Sequence, residues 1–118
     1  NLFEIDFRNK KFSELSAGMK QRVSLAKVFM GDYNLVLLDE PTNHLDIDSI
    51  MNLRSAIQVR QNSGTAFLIA SHILTELERL CDSILFIREG KIVKRHSMNE
   101  ISTDYLSLED AYLKISEQ

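Results

Sequence analysis

Leu35-Val36-Leu37-Leu38-Asp39-Glu40-Pro41-Thr42-Asn43-His44-Leu45-Asp46 is the stretch whose reading decides the fold. Four consecutive large apolar residues predict a strand buried on both faces, as in the interior of a parallel sheet. Asp39 and Glu40 follow at its C-terminal end, then the single proline of the chain, Pro41. In open α/β sheets that end of the strands is where ligands bind. Burying or half-burying two adjacent carboxylates is costly unless a cation or a reacting proton compensates.

The segments on either side extend this strand into a unit. Downstream, Ile47, Ile50, Met51, Arg54 and Ile57 mark an amphipathic helix that ends near Gln61-Asn62, before Gly64. Residues Thr65 to Ala70 then predict a second buried strand, followed at once by Ser71-His72. Strand, helix and strand of these lengths make a βαβ unit, with a parallel pair and a right-handed crossover. His72 therefore leaves the sheet at the edge that Asp39 and Glu40 leave.

Upstream, Met19, Val23, Ala26 and Met30 share one helical face, so a helix begins near Ser16, a good N-cap followed by Ala17 and Gly18. Small residues at a helix start let a ligand approach the free backbone N–H groups, where the helix dipole favours an anion. An ordinary capped helix has the same pattern. Gly31 closes it, and Asp32-Tyr33-Asn34 turns the chain into the strand. Residues 2–7 read equally as a short strand or a helix end, and Arg8 to Phe12 as a basic loop.

Beyond the second strand, Leu74, Leu77, Leu80 and Cys81 define a helix on which Cys81 packs as a small apolar residue. Ser83 to Ile87 predicts a third strand, Arg88-Glu89-Gly90-Lys91 a tight turn, and Ile92-Val93 an antiparallel return. Ser97-x-x-Glu100 and Ser107-x-x-Asp110 are capping-box patterns, and a last helix from Leu108 carries Tyr112 and Ile115 on one face. His44, in a polar turn, and His96, after a basic strand end, read as solvated.

Composition narrows the class. The 118 residues suit one modest domain, with 44% apolar and 26% charged residues. A net charge of −3 gives no general attraction to nucleic acid or anionic lipid. One cysteine excludes an internal disulfide and fits a reducing compartment. No apolar run approaches membrane-spanning length. The chain begins with Asn1 and reads as a piece of something longer.

Two strand-end carboxylates with a histidine at the neighbouring strand end suit nucleoside triphosphate hydrolysis. One carboxylate can hold Mg²⁺, the other can act as general base, and the histidine can donate to the γ-phosphate. Such sites also need a glycine-rich loop with a lysine, G-x-x-x-x-G-K-[ST]. Gly18, Gly31, Gly64 and Gly90 do not form one, so this sequence alone is not expected to build the phosphate cradle.

Taken together, the motifs resemble the C-terminal half of an ATP-binding-cassette (ABC) nucleotide-binding domain over nearly the whole chain. Leu15-Ser16-Ala17-Gly18-Met19 is similar to the signature LSGGQ. Leu35 to Glu40 resembles Walker B, Asn43-His44-Leu45-Asp46 the D-loop, and His72 the switch histidine. The resemblance implies a partial RecA-like P-loop NTPase core with a C-terminal β-hairpin and helix, its N-terminal half absent. It divides the chain into the end of the helical subdomain with the signature helix (1–31), the Walker B, D-loop and switch-histidine core (32–96) and a helical tail (97–118).

It further implies that Asp39 organises Mg²⁺, Glu40 is the general base and His72 contacts the γ-phosphate. Ser16, Ala17 and Gly18 would bind ATP held by a second ABC ATPase domain, with Asp46 communicating across that interface. The remaining partner is a transmembrane permease, the sole contact with the membrane; nucleic acid is not expected, and the location is the cytoplasmic face. Ala17 and Met19 depart from the signature, and Met19 loses a polar side chain. Gly-Met-Lys-Gln-Arg and the residues 107–113 are similar to exporters of the sodium, bacitracin and lantibiotic kind.

Two rival readings remain. Pro41 to Asp46 is also typical of ribosome-associated translation factors of the same superfamily, and a truncated chain could be a non-catalytic dimerising fragment. The missing half predicts exposed apolar surface.

Overall fold

The computed structural model describes residues 9–118, and the ambiguous segment 2–7 lies outside them. The chain forms two compact units, Asn1–Ser71 and His72–Gln118.

In the first unit a single 3-10 turn, Phe12–Glu14, precedes α1 (Ala17–Met30), β1 (Leu35–Asp39), α2 (Ile47–Asn62) and β2 (Ala66–Ala70). Ser16 caps α1 by accepting a hydrogen bond from the Met19 N–H at 3.1 Å. Asp46 caps α2 in the same way, accepting from the Ser49 N–H at 2.9 Å. Both use a short oxygen-bearing side chain to satisfy a helix-start donor that has no partner within the helix. β1 and β2 pair parallel, with Leu35 opposite Ala66 and Asp39 opposite Ala70, and α2 is the crossover.

The buried faces differ from expectation in three places. β1 is buried on one face only: Val36 and Leu38 are buried, whereas Leu35 and Leu37 are 58% and 66% exposed. Leu68, opposite Leu37, is exposed as well. A run of four apolar residues signals two covered faces, and this chain supplies the cover for one. The apolar exposure expected of a part-length fold is found here.

α2 buries Ser49, Leu53, Ala56 and Ile57, while Ile47 and Met51 from the expected stripe stay exposed. Arg60 fixes that rotation by donating to the carbonyls of Phe29 and Gly31 at the end of α1, the latter at 2.8 Å. On α1 the buried residue is Leu25, Phe29 stacks on Phe67 with ring centroids 6.0 Å apart, and Met30 is exposed. Of the expected stripe, Met19, Val23 and Ala26 are half-buried and Met30 is exposed; the side of α1 that meets loop 40–46 and Phe67 runs through Gly18, Gln21, Leu25 and Phe29. It begins with polar residues, which an apolar periodicity does not register.

The second unit contains α3 (Leu74–Leu80), β3 (Ser83–Arg88), β4 (Lys91–Ser97), α4 (Met98–Asp104) and α5 (Leu108–Ser116). β3 and β4 form an antiparallel hairpin with a bulge between Phe86 and Ile87. Glu89 and Gly90 have φ of 50° and 73°, the two positive values of a type I′ turn. The core joins Ile84 and Phe86 to Ile101, Leu108, Ala111 and Ile115, with Leu74, Leu77 and Cys81 packed against it. Burial pushes the Cys81 thiol above its ordinary value, and the neighbouring Asp82 charge adds to this.

The Ser97–Glu100 capping box is complete: Glu100 N–H donates to Ser97 Oγ at 3.1 Å and Ser97 N–H donates to Glu100 Oε2 at 2.8 Å. At Ser107 the first half forms, but Asp110 Oδ2 accepts from Leu106 N–H instead. The shorter aspartate reaches the preceding residue. Tyr112 is half-exposed, and the α5 stripe runs through Leu108, Ala111 and Ile115. His96 is not solvated: it lies between Phe86 and Tyr105, with ring centroids 6.4 and 5.8 Å away. The antiparallel pairing, Ile84 opposite His96, brings it to that cluster.

Candidate functional site

The end of β1 holds the two carboxylates in different environments. Asp39 is exposed, so the expected burial does not apply to it; Glu40 is half-buried. Glu40 N–H donates to Ala70 O at 2.8 Å, extending the parallel pairing one residue past Asp39. Its φ is 48°, a left-handed conformation that costs a non-glycine residue on the order of 1 kcal/mol or more. That backbone turns the side chain toward β2, where Ser71 Oγ donates to Glu40 Oε2 at 3.3 Å. The serine follows from the register: with Asp39 opposite Ala70, the next residues on both strands face each other.

The loop after Glu40 is packed. Pro41 and Thr42 are buried, Asn43 N–H donates to Glu40 O at 3.2 Å, and Leu45 N–H donates to Thr42 O at 3.2 Å. His44 is exposed, as expected, but adopts φ 62°. Asp46 ends the loop and caps α2. Its carboxyl is held below the ordinary range mainly by hydrogen bonds from Ser49, and to a lesser degree by the positive charge of Arg22.

The start of α1 lies against this loop. A Cβ placed on Gly18 would come 2.6 Å from the His44 carbonyl oxygen, so any larger residue forces backbone to move. Gln21 Nε2 donates to Pro41 O at 2.9 Å. Ser16 and Ala17 sit exposed at the helix start, with the Ser16 oxygen engaged as the cap.

Within the first unit, then, Ser16, Ala17, Gly18, Asp39, Glu40 and Asp46 lie on two neighbouring segments, the start of α1 and the end of β1 with its loop. His72 is exposed and opens the second unit, two residues after β2 ends opposite Asp39. Sequence reasoning passed over Ser71 and Gln21. The register would have found Ser71, and the i, i+3 spacing from Gly18 would have found Gln21.

No helix among the described residues is long and apolar enough to cross a membrane. No group of three or more His, Cys, Asp or Glu side chains gathers as a metal cluster among them.

The family profile described as ABC transporter matches residues 1–43. The chain is 34% identical over 96 residues to the ABC transporter ATP-binding protein NatA of Bacillus subtilis, covering 81% of this chain and 39% of that protein. It is 46% identical over 92 residues to the lantibiotic transport ATP-binding protein SrtF of Streptococcus pyogenes, covering 78% of this chain and 39% of the relative. A solved ATP-binding subunit of an ABC transporter superposes with a TM-score of 0.81 at 28% identity, covering 89% of this chain and 45% of that one. The chain thus spans about two fifths of the length of these curated relatives. Its parallel βαβ unit and antiparallel hairpin are those of the RecA-like P-loop fold, and most of the chain is similar to part of the ABC transporter ATP-binding proteins.

Proposed function

We propose that the protein hydrolyses ATP to drive export across a membrane, as the nucleotide-binding subunit of an ABC transporter. The observation that carries this is the setting of Glu40, a half-buried carboxylate at the C-terminal end of β1. Its backbone is pinned by Ala70, and its carboxylate accepts a hydrogen bond from Ser71 at the end of the neighbouring strand.

In this reading Glu40 takes a proton from the attacking water as oxygen bonds to the γ-phosphorus and the bond to the ADP oxygen breaks. Placement matters more than an unusual pKa. Asp39 would hold Mg²⁺: it is exposed at the same strand end, and a single hard carboxylate suits a cation completed by water and phosphate oxygens. When bound, the ion supplies charge neutralisation on the phosphates. His72 would donate to the γ-phosphate. Ser16, Ala17 and Gly18 would present backbone N–H groups to ATP held by a second ATPase domain, with Asp46 at that interface.

The phosphate loop would come from polypeptide outside this sequence, since the relatives are more than twice as long. A permease would carry the membrane contact and hold the protein at the cytoplasmic face. The names of the relatives favour transport, and the net charge of −3 gives no general attraction to ribosomal RNA.

In the full-length protein Glu40→Gln should lower ATP turnover by about 10²–10⁴ while ATP still binds. A steady-state rate equal to that of the unsubstituted protein would remove Glu40 as the base.

A further inference from the structure

Three residues of α1 at i, i+3 and i+4 address loop 40–46. Gly18 packs its bare Cα against the His44 carbonyl. Gln21 Nε2 donates to Pro41 O at 2.9 Å and reaches Glu40 O at 3.5 Å. Arg22 places its charge near Asp46. Both Gln21 targets are carbonyl oxygens, so the amide must present its NH₂ there. The loop it grips contains two non-glycine residues at positive φ, Glu40 and His44, a state that persists only where surrounding contacts over-determine it. Thr42, buried in the same loop, has a hydroxyl oxygen without a hydrogen-bond partner among the described residues, so it adds no polar anchor of its own.

We propose that Gln21 is a positioning residue: its amide ties loop 40–46 to the start of α1, so that the placement of Glu40 depends on the placement of that helix end. This rests on the reading of Glu40 as general base, and extends it. The backbone carbonyl next to Gln21's main partner belongs to Glu40 itself, so a shift of α1 is transmitted to the base through one side chain. If the α1 start engages nucleotide on a second subunit, that engagement sets the geometry of the base in its own subunit. A misplacement of about 1 Å at a reacting group can cost up to a hundredfold in rate.

The test uses Gln21→Met and Gln21→Glu in the full-length protein, both close to glutamine in length and both lacking the NH₂ donor. Steady-state kinetics should show kcat lowered about tenfold to a hundredfold, with KM for MgATP unchanged within about twofold because no substrate contact is removed. ATP-driven dimerisation in the Glu40→Gln background should persist. A loss of kcat that only follows the fraction of folded protein, or an unchanged kcat, would overturn the proposal. Amide exchange at Asn43 and Leu45 reads the loop directly. Faster exchange there in either variant supports the tether whatever reaction the protein performs, and unchanged exchange rejects it. Faster exchange together with a Glu40→Gln rate equal to wild type would leave the tether standing and remove the hydrolytic reading.

Discussion

The two units build their small cores from different parts. In His72–Gln118, the hairpin, α4 and α5 enclose one cluster in which Ile101, Leu108 and Ala111 are almost fully buried. The starts of α4 and α5 are closed by Ser97 and Ser107, and Glu78 Oε1 accepts the Leu108 N–H at 2.5 Å. The hairpin still exposes Leu85, Ile87, Ile92 and Val93, and Glu89 in its turn is left-handed. Asn1–Ser71 also has a buried centre, around Leu53, Ala56 and Ile57, but it leaves one sheet face apolar and open and places two residues in left-handed backbone. Among the described residues, two of the three left-handed non-glycine positions, Glu40 and His44, lie where the candidate chemistry is, as expected when strain serves a site rather than stability, and the third, Glu89, belongs to a hairpin turn that calls for it.

The largest stability effect should come from the closed unit. Leu108 is 1% exposed and packs among Ile84, Phe86, Ile101, Ala111 and Ile115. Leu108→Ala should lower stability by about 2–5 kcal/mol, read from urea unfolding. A loss under about 1 kcal/mol would mean that the cluster collapses around the cavity and is looser than its burial suggests.

Gly18→Ala should rank next. Alanine gains up to about 1 kcal/mol of helix propensity over glycine, but its methyl would press on backbone rather than on a flexible side chain, and such overpacking costs about 1–3 kcal/mol. The clash distance of 2.6 Å decides the sign. A stabilised variant would show that loop 40–46 yields, and that the open unit is softer at its site than the left-handed residues imply. The same glycine would then owe its place to ligand approach alone.

Leu37→Ala probes the open face. At 66% exposure the substitution should change the stability of this chain by no more than about 0.5 kcal/mol. In a longer polypeptide that covers the face, the same substitution should cost about 2–5 kcal/mol. Equal small effects in both would mean the face stays open and the difference between the units is intrinsic.

Legibility in the sequence follows the same division. The existence of every described strand and the caps at Ser16, Ser97 and Ser107 could be read from local pattern, because period, turn residues and capping chemistry act over a few positions, although β4 runs on to Ser97, past the expected Ile92-Val93. What could not be read was which stripe of a helix turns inward. On α2 the choice between Ile47/Met51 and Leu53/Ala56 is made by Arg60 reaching carbonyls at the end of α1, about thirty residues away in sequence. On α1 the contacts of Gly18 and Gln21 with loop 40–46 carry no apolar signal. His96 was misplaced for a related reason: cross-strand pairing with Ile84, not its polar neighbours, determines its surroundings. At the site, Asp39, Glu40 and Asp46 were legible as residue types at a strand end. The Ser71 contact needed the register, and the left-handed backbone of Glu40 needed the folded loop.

The smallest effect separates the caps from the site by pH. Glu100 has its carboxyl lowered from 4.5, first by the Ser97 N–H, with smaller help from His96 and the Ser97 hydroxyl. Asp110 is lowered from 3.8, first by Lys114 and then by the Leu106 N–H. A carboxyl with a depressed folded-state value contributes stability that is fully present above its unfolded value and lost as pH falls through the folded one. The stability difference between the unsubstituted chain and Glu100→Gln should therefore be constant at neutral pH and shrink as pH falls below 4.5. Urea midpoints at neutral pH and near pH 3 would read it. A difference that does not change with pH would mean that the glutamine amide oxygen caps Ser97 as well as the carboxylate does, and that the box holds by geometry rather than charge. Glu100 is exposed, so the change should be small and should fade in high salt. Asp46, lowered from 3.8 chiefly by Ser49, should follow the same acid trend in Asp46→Asn. That substitution should also reduce ATP turnover in the full-length protein, whereas Glu100→Gln should leave turnover unchanged, because only one of these two caps closes the loop that carries Glu40.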